Sequence, residues 1–135
     1  WNDAPEPFHS FMYDRDLFDL PGLNYQLIEG DYTLFKGIDI LFMPGHTPGY
    51  QMVKVDLKNT GSVILSVCDH RGMYEGIGVN ASAPGIPHAF SYSLGGELKS
   101  FRRALDMARV EKGQIFYGHD FDWWEQARKP PQFYD

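Results

Sequence analysis

Short apolar segments separated by turn residues fill the first half of the chain. The pattern predicts five strands, at Tyr25–Ile28, Tyr32–Phe35, Ile38–Phe42, Gln51–Leu57 and Ser62–Val67. Gly-Asp, Lys-Gly and Lys-Asn-Thr-Gly sequences lie between them and are typical of tight connections. Because consecutive strands joined by such turns pair with one another, we expect an antiparallel meander.

Two of these strands differ in the way that apolar and polar residues follow one another. Gln51 to Asp56 alternates, as does a strand with one solvent-exposed face. Val63 to Val67 is almost continuously apolar, which predicts burial on both faces. The sheet is therefore expected to be covered by another layer.

The second half of the chain has a different pattern. His70 to Ser93 is rich in Gly, Pro, Ser, Asn and Ala, which predicts a long irregular loop. Leu94 to Val110 is predicted to be an amphipathic helix, because apolar residues recur there at steps of three and four. A short buried strand, Gln114–Tyr117, follows. The elements together indicate an α+β fold.

Length and composition restrict the class of protein. The chain has 135 residues, the size of one globular domain, and 43% of them are hydrophobic. No apolar run approaches the ~20 residues that span a bilayer, and the first residues lack a signal-peptide pattern. A net charge of −6 argues against a nucleic-acid partner, and we interpret Arg102, Arg103 and Arg109 as a solvated helix face. A single cysteine, Cys68, excludes an intramolecular disulfide, so we expect a cytoplasmic protein without membrane contact.

Three predicted strands are each followed closely by a residue suited to binding metal. Ile38–Phe42 leads into His46, the segment ending at Val67 leads into Asp69, and Gln114–Tyr117 leads into His119. Imidazole and carboxylate groups are common ligands of zinc and similar ions, and strand ends are rigid positions for them. His46 stands in the Pro/Gly turn MPGHTPGY, which fixes the direction of its side chain.

Each of these residues also has a structural interpretation. His46 could stabilise its own turn, and Asp69 could cap a turn, as aspartate often does. His119 and Asp120 could begin a terminal helix, with one of them as its N-cap. The recurrence at three strand ends favours the metal hypothesis over three separate structural roles.

The same segments resemble a known superfamily. PGHTPGY, the strand ending in Cys68-Asp69, and FYGHD after an amphipathic helix are similar to the second half of the metallo-β-lactamases. More narrowly, the stretch from Leu20 to Gln51 resembles the N-acyl homoserine lactone hydrolases, which quench quorum signals. The PGHTPG motif marks only the superfamily, whereas LNYQLIEGDY narrows the resemblance to the lactonases.

The resemblance implies a fold, a cofactor and a reaction. The fold would be an αββα sandwich with this chain as its C-terminal half, and the cofactor would be two divalent metal ions, most often zinc. His46 matches the histidine of one ion, Asp69 the bridging aspartate and His119 the histidine of the other. A metal-bridging hydroxide would attack the carbonyl of a lactone, most often that of an N-acyl homoserine lactone.

The sequence departs from this family in two places. The remaining metal ligands of the family come from an upstream HxHxDH motif, which these 135 residues do not contain. Three ligands cannot complete two metal sites. We therefore expect one piece of a longer or cleaved protein, a half that needs a partner chain carrying HxHxDH, or a chain that binds at most one ion weakly; a homodimer is a further possible assembly.

The second departure concerns the substrate. Many family members carry a tyrosine three residues after the bridging aspartate, where this chain has Gly72. Tyr74, two residues later, either reaches the same place as a catalytic residue or lies on the surface. The alternative functions are hydrolysis of another ester, amide or thioester, and a non-catalytic half that acts with a partner chain.

Overall fold

A computed structural model describes residues 20–66 and 91–135. These residues form five strands and two helices. In chain order they are β1 (Tyr32–Phe35), β2 (Ile38–Phe42), β3 (Gln51–Leu57), β4 (Gly61–Ser66), α1 (Leu94–Glu111), β5 (Gln114–Tyr117) and α2 (Phe121–Gln126). Most of the predicted loop from His70 to Ser93 lies outside the described residues. The α+β class is confirmed, and the predicted helix extends one residue further than expected.

The five strands form one sheet in the order β1-β2-β3-β4-β5. The first four pair antiparallel, which confirms the predicted meander. β5 instead pairs parallel with β4, with Ser66 opposite Tyr117. Since β2 and β4 are both antiparallel to β3, the strands β2, β4 and β5 run in the same direction. Their carboxyl ends therefore lie at the same edge of the sheet.

Helix α1 covers one face of this sheet. Its buried side chains recur at steps of three and four and include Phe101, Ala104 and Ala108. They pack with core residues that lie in the strands or directly next to them, namely Leu41, Met43, Tyr50, Met52, Ile64 and Ile115. Ser93 is the N-cap, and its side chain accepts a hydrogen bond from Gly96 N. Burial of these core side chains removes apolar surface from water, which stabilises the helix on the sheet.

The alternation of β3 predicted that its charged face would be exposed, which is confirmed at Asp56 and wrong at Lys54. Lys54 lies under α1 and is only 8% exposed. Its ammonium group lies 2.9 Å from Asp56, 3.2 Å from Glu111 and 3.6 Å from Asp39. The hydrogen bond to Asp56 and the charges around it raise the pKa of Lys54 above 10.5. A lysine can be buried here because three carboxylates pair with it.

The opposite face of the sheet is apolar and only partly covered. Val53 lies beside Ile40 and Leu65, and Val55 lies beside Ile38 and Val63, so these side chains share one face. The C-terminal segment covers part of it, since Trp123 and Tyr134 contact Phe116 with ring centroids 4.7 and 4.6 Å apart. Phe42 and Leu65 remain 37% exposed. We call this surface the open face.

Burial of β4 on both faces is confirmed at Val63 and Ile64, which are 2% and 0% exposed, but not at Leu65. The predicted strand Tyr25–Ile28 is also wrong, because the structure has no strand before β1 within the described residues. Leu27 is 94% exposed there, so the segment has no buried face to stabilise a strand. No described helix is both long and apolar enough to cross a membrane.

Candidate metal site

The turn that carries His46 is attached to the beginning of α1. Ser93 N donates to Gly45 O at 2.8 Å, and Tyr92 N donates to His46 O at 3.1 Å. Ser100 Oγ donates to Pro44 O at 2.7 Å. The backbone on both sides of the imidazole is thus fixed by a second element, which confirms that the side chain of His46 leaves a well-defined turn.

Gly45 permits this close attachment. Its φ is +145°, a region that favours glycine. A Cβ atom at this position would lie 1.9 Å from Glu97 N and 2.2 Å from Glu97 Cα. Any larger residue would therefore push the turn away from the helix. Glycine is therefore required at position 45 both because the backbone of Glu97 lies too close for a side chain and because φ is positive.

The imidazole of His46 is partly buried between two side chains. Its Nδ1 lies 3.5 Å from Glu97 Oε1, and its ring meets the ring of Tyr50 edge-on at 5.9 Å. The side chain of His46 is 24% exposed, whereas that of Glu97 is 2% exposed. Nδ1 is therefore the ring nitrogen that faces the buried carboxylate, and Nε2 lies on the other side of the ring.

A second contact holds the end of β2, four residues before His46. The carboxylate of Asp31 accepts a hydrogen bond from Phe42 N at 2.9 Å and binds the guanidinium of Arg103. Arg103 also donates to Phe42 O at 3.1 Å. The hydrogen bond from Arg103 holds the pKa of Asp31 below 3.8. Arg103 is exposed, as the solvated helix face predicts, and it also connects α1 to the end of the strand.

His119 is held in a different way. Its side chain is exposed, and its φ is +57°, a left-handed conformation that non-glycine residues seldom adopt. The preceding residue, Gly118, donates its N–H to Ser66 O at 2.6 Å. Asp120 is the N-cap of α2 and accepts from Trp123 N at 2.6 Å. The helix-cap role expected as an alternative for the His119-Asp120 pair is therefore filled by Asp120, which leaves the imidazole of His119 unused by the cap.

Two predicted site residues can be placed, and two cannot. His46 follows β2 and His119 follows β5, so both loops leave the same edge of the sheet. Asp69 comes three residues after the end of β4 in the sequence, but it and Tyr74 lie outside the described residues. Within the described part of the chain, no three His, Cys, Asp or Glu side chains are grouped to hold a metal. The two imidazoles fit part of a divalent metal site and do not complete one.

Most of the chain is similar to known N-acyl homoserine lactonases, both in sequence and in structure. An N-acyl homoserine lactonase of Bacillus thuringiensis is 32% identical over 114 residues, 84% of this chain and 43% of the relative. One solved structure is an N-acyl homoserine lactone hydrolase with the product N-hexanoyl-L-homoserine bound at the catalytic metal centre. It has a TM-score of 0.70 and 30% identity over 95% of this chain and 48% of that one.

This chain resembles the C-terminal half of an N-acyl homoserine lactonase, with the fold of the metallo-β-lactamase superfamily. The lactonase AttM of Azorhizobium caulinodans agrees, with 29% identity over 98% of this chain and 50% of the relative. The chain spans about half the length of the relatives that it matches. No family model matches it.

The lactonase likeness was visible in the sequence, but the roles of two residues were not. Asp31 belongs to the LNYQLIEGDY stretch that narrowed the resemblance, and the structure shows that it holds the end of β2. Glu97 was not singled out at all. Its spacing from Phe101, Ala104 and Ala108 places it on the buried stripe of α1, and a carboxylate on an apolar stripe is a signal that could have identified it.

Proposed function

We propose that this chain is the C-terminal half of a metal-dependent hydrolase that opens the lactone ring of N-acyl homoserine lactones. The observation that carries the proposal is the shared sheet edge, because His46 and His119 follow strands that end there together. The likeness to a lactone hydrolase with product at its metal centre supports it. The missing ligands would come from an upstream half carrying HxHxDH; we call the two halves together the assembled protein.

In this proposal His46 and His119 hold different ions. β2 and β5 are separated by two other strands in the sheet, so their axes are about 14 Å apart. Asp69 follows β4, the neighbour of β5, and is the proposed shared ligand. Two divalent ions, with zinc the expected metal, would supply a nucleophilic hydroxide at neutral pH and polarise the lactone carbonyl.

The residues of this chain have defined tasks in that reaction. His46 Nε2 and the imidazole of His119 would each present a neutral nitrogen lone pair in a fixed direction. The attachment of the His46 turn to α1 keeps that direction constant when substrate binds. Tyr74 is the proposed hydrogen-bond donor to the substrate carbonyl or to the departing oxygen. Opening the ring adds water across the C–O bond, giving an N-acyl homoserine with one new carboxylate and one new hydroxyl.

The open face is the proposed contact with the upstream half. It consists of apolar side chains from β2, β3 and β4 that the described residues leave partly exposed. Burial of such a face against a second sheet would complete a sandwich and remove apolar surface from water. Residues 1–135 produced alone are therefore expected to associate with themselves and to lack lactonase activity.

The proposal is tested by variants of the assembled protein assayed for lactone hydrolysis and for metal content. His46→Ala, Asp69→Ala and His119→Ala should each abolish hydrolysis, and Asp69→Ala should reduce the content of both ions. His9→Ala is the matched control, since His9 follows none of the three strands that lead into the predicted ligands, and it should retain activity. A content of two ions that is unchanged in Asp69→Ala would refute the bridging assignment.

The substrate class needs a separate assay, because Gly72 stands where many lactonases carry tyrosine. Turnover of N-acyl homoserine lactones should exceed that of simple aryl esters and thioesters in the assembled protein. Faster turnover of either of the other classes would assign this chain to a hydrolase of different specificity. Absence of any turnover together with absence of bound metal would indicate a non-catalytic half.

A further inference from the structure

Glu97 is the only acidic side chain that is buried among residues 20–66 and 91–135. Burying a carboxylate costs free energy unless it is paired or hydrogen-bonded. Its neighbours on the buried stripe of α1 are Phe101, Ala104 and Ala108, so an apolar residue would pack at this position without that cost. The carboxylate therefore has a role that packing alone does not explain.

The contacts of Glu97 direct one of its oxygens at His46. Ser91 Oγ donates a hydrogen bond to Oε2. The other oxygen, Oε1, lies 3.5 Å from His46 Nδ1. Glu97 also lies in the first turn of α1, where the helix dipole favours a negative charge. The carboxylate is thus held in place from one side and faces the imidazole on the other.

We propose that Glu97 is the positioning residue of His46. Its carboxylate accepts the Nδ1–H of the neutral imidazole, so that the lone pair stays on Nε2, the nitrogen that would bind a divalent ion. A lone pair on Nδ1 would instead face the carboxylate and be repelled by it. Carboxylate partners of this kind orient metal-binding histidines and raise their basicity.

A purely structural pairing of Glu97 with His46 is the competing explanation. The His46 turn is already attached to α1 by Ser93 N, Tyr92 N and Ser100 Oγ, three hydrogen bonds that do not involve either side chain. A further contact between the two side chains adds little to that attachment. What it does add is a defined tautomer, which only a ligand-binding role requires.

The first experiment measures zinc affinity of the assembled protein by competition with a chromophoric chelator. Glu97→Gln removes the charge with little change in shape, and its affinity should fall by about 10- to 100-fold. Glu111→Gln is the matched control, since it makes the same change in the last turn of the same helix, against Lys54. Its zinc affinity should equal that of the wild type. Equal affinities in all three proteins would overturn the proposal.

The second experiment needs no change at Glu97, so it remains decisive if Glu97→Gln does not fold. The ¹⁵N chemical shifts of the His46 ring are measured in the metal-free protein at a pH where the ring is neutral, and are assigned by their loss in His46→Ala. The proton is expected on Nδ1. A proton on Nε2 would refute the positioning role.

The inference rests on the proposed function, because it takes His46 as a metal ligand, but the two can fail separately. Neither experiment uses a lactone. Zinc binding that depends on Glu97, in a protein that opens no lactone, would refute the proposed function and keep the inference. Full lactonase activity with the His46 proton on Nε2 would support the proposed function and refute the positioning role of Glu97.

Discussion

The two histidine loops at the shared sheet edge are rigid for different reasons. The His46 turn is held by contacts to a distant segment, since α1 and the two residues before it lie about 50 residues later in the sequence and supply three hydrogen bonds to it. The His119 loop has one hydrogen bond to a distant element, from Gly118 N to Ser66 O of β4, and is otherwise held by its neighbour Asp120 and by an unusual φ at His119 itself. One imidazole is partly buried and the other is exposed.

This difference predicts how far a substitution in each loop should affect the stability of the fold. Non-local contacts couple the His46 turn to the packing of α1 on the sheet, so damage there should destabilise the whole described fold. The contacts on the other side of His119 are local and involve a six-residue helix with no buried side chain, so damage to that helix should remain local. Four substitutions test this contrast, and they are taken from the largest expected effect to the smallest.

Gly45→Ala is expected to have the largest effect. The new Cβ would overlap the backbone of Glu97, and alanine would also be strained at φ +145°. These two costs together should lower the free energy of unfolding by about 3 kcal/mol or more. Urea denaturation of the assembled protein measures the change.

Gly49→Ala is the control for that experiment, because it lies in the same turn and a Cβ there meets nothing within 4 Å. Its unfolding midpoint should stay close to that of the wild type. If both variants were equally destabilised, the attachment of the turn to α1 would not be the reason for the sensitivity of Gly45.

The two N-caps should differ in how far their loss spreads. Ser93→Ala at α1 should lower global stability by about 1 kcal/mol, the usual value of an N-cap. Asp120→Ala at α2 should leave global stability almost unchanged and instead speed amide hydrogen exchange at Trp123 about fivefold, the equivalent of about 1 kcal/mol. Urea denaturation and hydrogen exchange are measured on both variants. A global loss in Asp120→Ala as large as that in Ser93→Ala would remove the contrast between the loops.

The smallest effect is expected at Asp31, which holds the end of β2 together with Arg103. Both side chains are more than 40% exposed, so Asp31→Asn should cost about 0.2–1 kcal/mol at neutral pH. Because the folded pKa of Asp31 lies below 3.8, its contribution is present above that pH and is lost as pH falls through the folded value. Stability of both proteins is measured from pH 7 to pH 2. A difference that persists unchanged at the lowest pH would show that the charge of Asp31 is not its source.

Local patterns in the sequence predicted most of the described elements. β1, β2, β3 and β5 have the predicted bounds, because alternating or continuous apolar residues and Gly-containing turns define them without help from the rest of the fold. Tyr25–Ile28 has the same composition but no strand, since pairing depends on a partner that the pattern does not contain. The buried Lys54 was missed for the same reason, as its three carboxylates come from β2, β3 and α1.

The candidate site was predictable in its residues and not in its geometry. The family resemblance indicated His46 and His119, and the sheet order then showed that their strands end at one edge. The parallel pairing of β5 with β4 produces that arrangement, and it depends on a crossover through α1 that no short motif specifies. Asp69 and Tyr74 stay predictions, since they lie outside the described residues.

The central claim is that His46, Asp69 and His119 are ligands of two metal ions at the edge where β2, β4 and β5 end. Anomalous X-ray diffraction at the zinc absorption edge, from crystals of the zinc-loaded assembled protein, tests it most directly. We expect two anomalous peaks beside the ends of β2, β4 and β5. His46 Nε2 should bind the ion at one peak, His119 the ion at the other, and the carboxylate of Asp69 both ions. A single peak, or two peaks whose ligands exclude these three side chains, would contradict it.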